Sequence, residues 1–330
     1  LGVIPADAQL APWPKELIKS WDDCTPEEKK LFIRQAEVFA AYVAYSDHEI
    51  GRVIQAVEDM GKLDDTLVIY INGDNGTSAE GGPLGTPNEV AFFNGVNMMP
   101  VADQMKWYDV WGTEQTYNHM SAGWSWAFDA PFSWFKQNAS RLGGIRQNMA
   151  VSWPARIKDQ GGLREQFMHV IDVVPTILEA SGIQAPELVD GIEQSPIEGT
   201  SFAYTFDAKN AKAPSRHTTQ YFEMMGQWAL YHEGWLLSTQ VNRAPWQAFG
   251  PANPDPLNNQ VLELYDLSKD FSQTRDVASD FPDKVKQMLH DKTDVGWYYD
   301  GTYVLPRREK TMLRPSGPLQ NHCIREDESK

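Results

Sequence analysis

The hydrophobic positions in the first fifth of the chain repeat with a helical period. Leu31, Phe32, Ala36, Phe39, Ala40, Val43, Ile50, Val53, Ile54 and Val57 follow one another mostly at three- and four-residue steps, which puts them on one stripe of a helix. Just ahead, Thr25-Pro26-Glu27-Glu28 offers an N-cap hydroxyl, a proline at the first helical position and a glutamate at the capping-box position. Gly61 supplies the stop. The pattern predicts a helix of about 35 residues, well above the usual globular length, so a break near Ser46-Asp47 is expected. Leu67–Ile71 then runs apolar without alternation, which predicts a strand covered on both faces, as in a parallel sheet.

A second strand–helix unit follows. "NMAVSWP" (Asn148–Pro154) reads as a short strand, and "FMHVIDVVPTILEASG" as a helix capped by Asp172 and ended by Gly182. Alternating strand and helix predicts a layered α/β fold. The first eighteen or so residues, rich in proline, read as an extended arm. Beyond Ser201 the texture changes: "HTTQYFEMMG", "WALYHEGWLLST" and "VLELYDLSKD" predict short strands joined by turns, and "DFPDKVKQMLHDKTDVGWYYDG" a terminal helix. We therefore divide the chain into an α/β part, residues 1–205, and a small antiparallel-sheet plus helix subdomain, residues 206–330.

Composition changes this picture little, and charge narrows it. The 330 residues are 42% apolar, and a formal charge of −16 argues against a general role on nucleic acid or anionic membrane. No apolar run is long enough to span a bilayer as a helix. The start, "LGVIPADAQLAPWP", lacks a signal-peptide pattern and reads like the interior of a longer protein, which leaves the compartment open. Cys24 and Cys323 have no metal-type spacing and give no disulfide framework.

The candidate chemistry begins where the first strand ends, at Asp74-Asn75-Gly76. A turn is one reading. The other is that a strand end delivers a carboxylate and an amide carbonyl, hard oxygen donors suited to Ca²⁺ or Mg²⁺, to the sheet edge where ligands bind. The glycines of "EGGPLG" could bring backbone N–H groups toward an anion. Lys136 lies among Phe132, Trp134 and Phe135 and just before Gly143-Gly144, a cation placed to meet an anionic group. Ten aromatic residues between Trp107 and Phe135 predict either a satellite core or the wall of a pocket, and His119 within that stretch is a candidate substrate contact. Cys24 opens "CTPEE", which has the first and third residues of C-x-P-x-R but lacks its arginine; we read Cys24 as structural.

Taken together these stretches resemble the sulfatase family of the alkaline-phosphatase superfamily, in its large arylsulfatase branch. "SDHEIGRVIQAVEDMGKLDDTLVIYINGDNG" resembles the helix–strand unit that ends in a metal-binding acid–amide pair. "GWSWAFDAPFSWFKQNASRLGGIRQNMAVSWPARI" resembles the lysine-bearing segment, "HVIDVVPTILEASGI" the helix after it, and "LELYDLSKDFSQTRDVASDFPDKVKQM" the closing element of the C-terminal subdomain. The resemblance implies an alkaline-phosphatase-like layered α/β sheet, of which this chain holds the second half, with a smaller C-terminal α+β subdomain. It implies that Asp74 and Asn75 bind Ca²⁺ or Mg²⁺ and that Lys136 contacts the sulfate of a small-molecule sulfate ester. The nucleophile, a formylglycine made from the C-x-P-x-R cysteine, and the family's other site residues are not in these 330 residues, so the chain alone is expected to be inactive and poorly stable. A phosphodiester or phosphonate monoester hydrolase of the same superfamily, or a non-catalytic aryl- or sugar-binding module, are the competing readings.

Overall fold

The computed structural model describes residues 2–95, 98–247 and 260–294, together with the backbone of 297–299 and 304–306. Helix α1 (Pro26–Asp59) starts as its sequence predicts. Thr25 Oγ1 accepts the Glu28 N–H at 3.2 Å, and the Glu28 carboxylate accepts the Thr25 N–H at 2.7 Å. A cap of this kind contributes about 1 kcal/mol. Lys19 bonds the same carboxylate at 2.8 Å and, with the Thr25 N–H, holds it below the usual carboxylate range. Gly61, with φ of 66°, provides the left-handed residue that ends the helix.

The expected break at Ser46-Asp47 is absent: α1 continues for 34 residues, a rod of about 50 Å. No proline interrupts it, and length statistics alone do not break a helix. Its buried anchors all lie in its N-terminal half. Leu31, Phe32 and Gln35 are buried, whereas Val43, Ile50 and Val53 lie exposed on the continuing stripe. Gln35 bonds both ways, donating to Leu84 O and accepting from Ser121 N, each at 2.9 Å.

Strand β1 (Val68–Ile71) corrects a second expectation. It pairs antiparallel with β2 (Met149–Ser152), Val68 opposite Ser152 and Ile71 opposite Met149, and its residues are half-buried. Among the described residues it has no other partner. An unbroken apolar run reports burial and says nothing about the direction of the neighbouring strand. Between β1 and β2 lie short helices α2 (Val90–Phe93), α3 (Val101–Gln104), α4 (Ala122–Asp129) and α5 (Leu142–Ile145). The aromatic stretch builds core here: Trp111 packs with Cys24, Leu31 and Phe32, while Trp126 and Phe135 pack with Ile18, Ala79 and Ala122.

Helix α6 (Val173–Ser181) stops at Gly182, whose φ is 70°. Asp172 holds the N-cap position, as expected, but its side chain makes no capping hydrogen bond to α6. The carboxylate instead accepts from His169 N at 2.8 Å, Thr200 N at 2.7 Å and His217 Nδ1 at 2.9 Å, fastening three segments. A two-residue hairpin, β3 (Leu188–Val189) with β4 (Ile192–Glu193), follows.

Strands β5 (Thr219–Met224), β6 (Gln227–His232), β7 (Trp235–Thr239) and β8 (Leu262–Asp266) form one antiparallel sheet in that order. Period-two alternation gives it two apolar faces. Leu230, Leu237 and Leu264 pack with Met288 of α7 (Pro282–Asp294) on one face. Ala229, Leu236 and Tyr265 pack against Leu142 on the other, with Phe132 and Ile145 alongside. The sheet is thus a platform under the lysine-bearing segment. The predicted terminal helix is shorter than expected: α7 ends at Asp294, and Trp297–Tyr299 (β9) pairs antiparallel with Val304–Pro306 (β10). Cys323 lies outside the described residues.

Candidate metal and oxyanion site

The site is built where backbone approaches backbone. After β1, Gly76 N donates to Gly144 O at 3.0 Å, and Lys136 N donates to Thr77 O at 3.3 Å. These bonds bring the loop carrying Asp74 and Asn75 onto the segment carrying Lys136. Glycine is what permits it: a Cβ on Gly76 would sit 1.7 Å from Gly143 O, and one on Gly143 would sit 2.3 Å from both Ser133 O and Trp134 O. Asp129 fixes the same loop from behind, accepting from Thr77 N and from Thr77 Oγ1, the latter at 2.6 Å. Burial pushes the Asp129 carboxyl up to about 6 against those hydrogen bonds.

The lysine segment is clamped to the platform. Arg141 forms a buried ion pair with Glu263 and bonds Tyr265 Oη. Leu142 N donates to Gln273 Oε1, and Gln273 Nε2 returns a bond to Ser140 O, both at 2.9 Å. Asn138 Nδ2 reaches Gln227 Oε1 at 3.1 Å. Two non-glycine residues with positive φ, Trp134 at 67° and Gln137 at 77°, flank Lys136. Such conformations cost about 1–3 kcal/mol each and collect at functional sites.

Asp74 is exposed, and its carboxylate makes no hydrogen bond or ion pair among the described residues. Asn75 donates through Nδ2 to Gly76 O at 2.8 Å, which leaves Oδ1 available as an acceptor. This donor set fits two positions of a hard, oxygen-ligated cation. It is not a complete site: among the described residues no cluster of three or more His, Cys, Asp or Glu could hold a metal ion.

Lys136 and His119 meet through Glu80. The Lys136 ammonium lies 3.4 Å from Glu80 Oε1 and the His119 Nε2 3.8 Å from Oε2. His119 Nδ1 is 2.9 Å from Met120 O and Nε2 is 2.7 Å from Ser78 Oγ. A carbonyl only accepts, so Nδ1 donates to Met120 O, and Nε2 shares a hydrogen bond with the Ser78 hydroxyl. In "EGGPLG" two of the glycine N–H groups are used within the loop. Gly82 N and Gly85 N close turns onto Ala79 O and Gly82 O, and Gly81 and Gly85 allow close packing against His119 and Gln35.

Cys24 has the surroundings of a structural residue. Its thiol donates to Ser20 O, burial pushes it up from the usual thiol range, and Glu28, where C-x-P-x-R has its arginine, is committed to the capping box.

The family model for sulfatases matches residues 9–183, more than half of the chain. This chain belongs to the sulfatase family. An uncharacterized sulfatase of Schizosaccharomyces pombe is 28% identical over 306 residues, covering 88% of this chain and 48% of that protein. An arylsulfatase of Klebsiella aerogenes is 26% identical over 227 residues, covering 68% and 44%. Among solved structures, Ps i-CgsB in complex with a neocarrahexaose is similar at a TM-score of 0.48 and 16% identity, over 83% of this chain and 44% of that one. The chain spans about half the length of the curated relatives it matches.

The structure of this sulfatase-family chain adds residues that sequence reasoning missed. Glu80, Ser78, Gln137 and Asp129 all bear on the site. Nothing local marks them, since each is a single polar residue whose partners lie far along the chain, Ser78 from His119, Glu80 from Gln137 and Asp129 from Thr77. The sequence signal available for Glu80 was its place just before Gly81-Gly82, where a backbone can approach a neighbour closely.

Proposed function

We propose that this chain is the C-terminal portion of an arylsulfatase-like sulfuric-ester hydrolase and supplies its metal- and oxyanion-binding face. Asp74 and Asn75 would hold Ca²⁺, or Mg²⁺ in its place; Lys136 would bind the sulfate; His119 would contact the substrate. A divalent ion bound there supplies positive charge to a sulfate oxygen. Lys136 does the same from the protein, and fixed charge aimed where negative charge grows is what lowers the barrier of such a reaction. The nucleophile, a formylglycine, would come from residues outside this chain, since Cys24 lacks both the motif and the exposure.

The observation that supports this reading most is the 3.3 Å bond from Lys136 N to Thr77 O, three residues beyond Asp74. It ties an ammonium-bearing segment to an acid–amide loop, as a shared hollow for a cation and an oxyanion requires. The half-length reading has its own support. Val43, Ile50 and Val53 of α1 and Val174 and Ile177 of α6 are exposed, and an open groove of about 550 Å³ runs between Phe39, Val43, Tyr70 and Phe128. Those faces would be covered by the other half of the sulfatase domain. Among the described residues no helix is long and apolar enough to cross a membrane.

The test is turnover by the complete encoded polypeptide of an aryl sulfate and of the matched phosphate mono- and diesters, with and without a chelator. Metal-dependent preference for the sulfate is expected. Preference for a phosphate or phosphonate ester selects the superfamily rival, and metal-independent ligand binding without turnover selects the binding module.

A further inference from the structure

Glu80 is an anion at the centre of a site read as binding an anion. Its side chain is 12% exposed, and the polar groups around the lysine converge on it. Oε1 accepts from Gln137 Nε2 at 2.9 Å and faces the Lys136 ammonium at 3.4 Å, while Oε2 lies 3.8 Å from His119 Nε2. A carboxylate so placed repels an incoming sulfate. What it gives in return is order.

A free lysine side chain carries about 2 kcal/mol of rotamer entropy. The Lys136 side chain is 42% exposed, and Glu80 is its one ion-pair partner among the described residues, so the carboxylate sets where the ammonium points. Gln137 depends on it too. Its φ is 77°, its buried Oε1 has no hydrogen-bond partner among the described residues, and its amide is held by the Glu80 bond. On the far side, the Ser78 hydroxyl and the second Glu80 oxygen both lie against His119 Nε2.

We propose that Glu80 is the positioning residue of the oxyanion site, holding the Lys136 ammonium, together with Gln137 and His119, in the orientation that meets the substrate's sulfate. The assignment rests on the sulfatase reading of the chain.

A double-mutant cycle on the complete encoded polypeptide tests it, read as kcat/KM for an aryl sulfate and as competitive inhibition by inorganic sulfate. Glu80→Gln is expected to lower kcat/KM about tenfold, and Lys136→Met about a hundredfold. If Glu80 acts through Lys136, the double variant is no worse than Lys136→Met alone. A merely structural role would lower the thermal midpoint and the active fraction but leave KM and the sulfate inhibition constant of the surviving enzyme unchanged. Additive losses, an unchanged kcat/KM, or tighter sulfate inhibition in Glu80→Gln overturns the assignment. If Glu80→Gln does not accumulate folded, Glu80→Asp goes through the same cycle, with the carboxylate withdrawn by one methylene. An unmutated protein that turns over no sulfate ester defeats the sulfatase reading and this assignment with it; an active protein with an additive cycle defeats the assignment alone.

Discussion

The β5–β8 sheet and the β1–β2 pair draw on similar residues and are covered to different degrees. The sheet has α7 on one face and the lysine segment on the other, and Leu230, Leu237 and Leu264 between them are fully buried. β1 has a single partner strand among the described residues and four half-buried positions, and α1 keeps Val43, Ile50 and Val53 exposed. One region closes its own core. The other, which carries the acid–amide half of the candidate site, leaves apolar surface exposed. Substitutions in the two regions should therefore differ in cost.

The largest effect belongs to the sheet. Leu237→Ala removes a fully buried side chain and is expected to destabilise the chain by about 2–5 kcal/mol in denaturant titration. A loss below about 1 kcal/mol would mean that the sheet is not the closed unit described.

A second effect lies where Asp172 and His217 join the start of α6 to the approach to β5. His217 places Nδ1 against the Asp172 carboxylate and Nε2 3.1 Å from Thr219 O, two acceptors that together call for the charged ring. The hydrogen bond that His217 donates to the Asp172 carboxylate raises the His217 pKa above its ordinary value, against burial. His169 also faces this pair, and burial followed by the His217 charge lowers it. A group whose pKa rises on folding stabilises fully below its unfolded value, about 6.5, and loses that contribution as pH climbs through the folded value. Stability should therefore decline from pH 6 toward alkaline pH, and the decline should be smaller in His217→Gln. An identical pH profile in both proteins would remove the clasp from the account.

The smallest effect is expected on α1. Val53 is 67% exposed, and Val53→Ser should change the stability of this chain by no more than about 0.5 kcal/mol. A core-sized loss would show that the face is already covered, by self-association if not by the fold.

What was legible in the sequence was local. The capping box at Thr25 and Glu28, the stops at Gly61 and Gly182, and the strands of the C-terminal sheet depend on near neighbours, and they formed where the pattern put them. The antiparallel direction of β1 and the three-way role of Asp172 depend on partners far along the chain. The unbroken course of α1 follows from a stripe that no proline interrupts and that accommodates Gly51, which average helix length does not report. The site divides the same way. Asp74, Asn75 and Lys136 were visible as residue types at strand and turn positions. Glu80 and Asp129 became visible only when Lys136, His119 and Thr77 were in place around them.

The central claim is that the acid–amide loop and the lysine segment form one site for a cation and an oxyanion. Asp74→Ala in the complete encoded polypeptide tests it most directly, because the exposed Asp74 carboxylate has no structural partner among the described residues. Aryl sulfate turnover should fall by about 10²–10³ with the thermal midpoint unchanged, and divalent-ion uptake should fall with it. Full turnover and full uptake in that variant would contradict the claim.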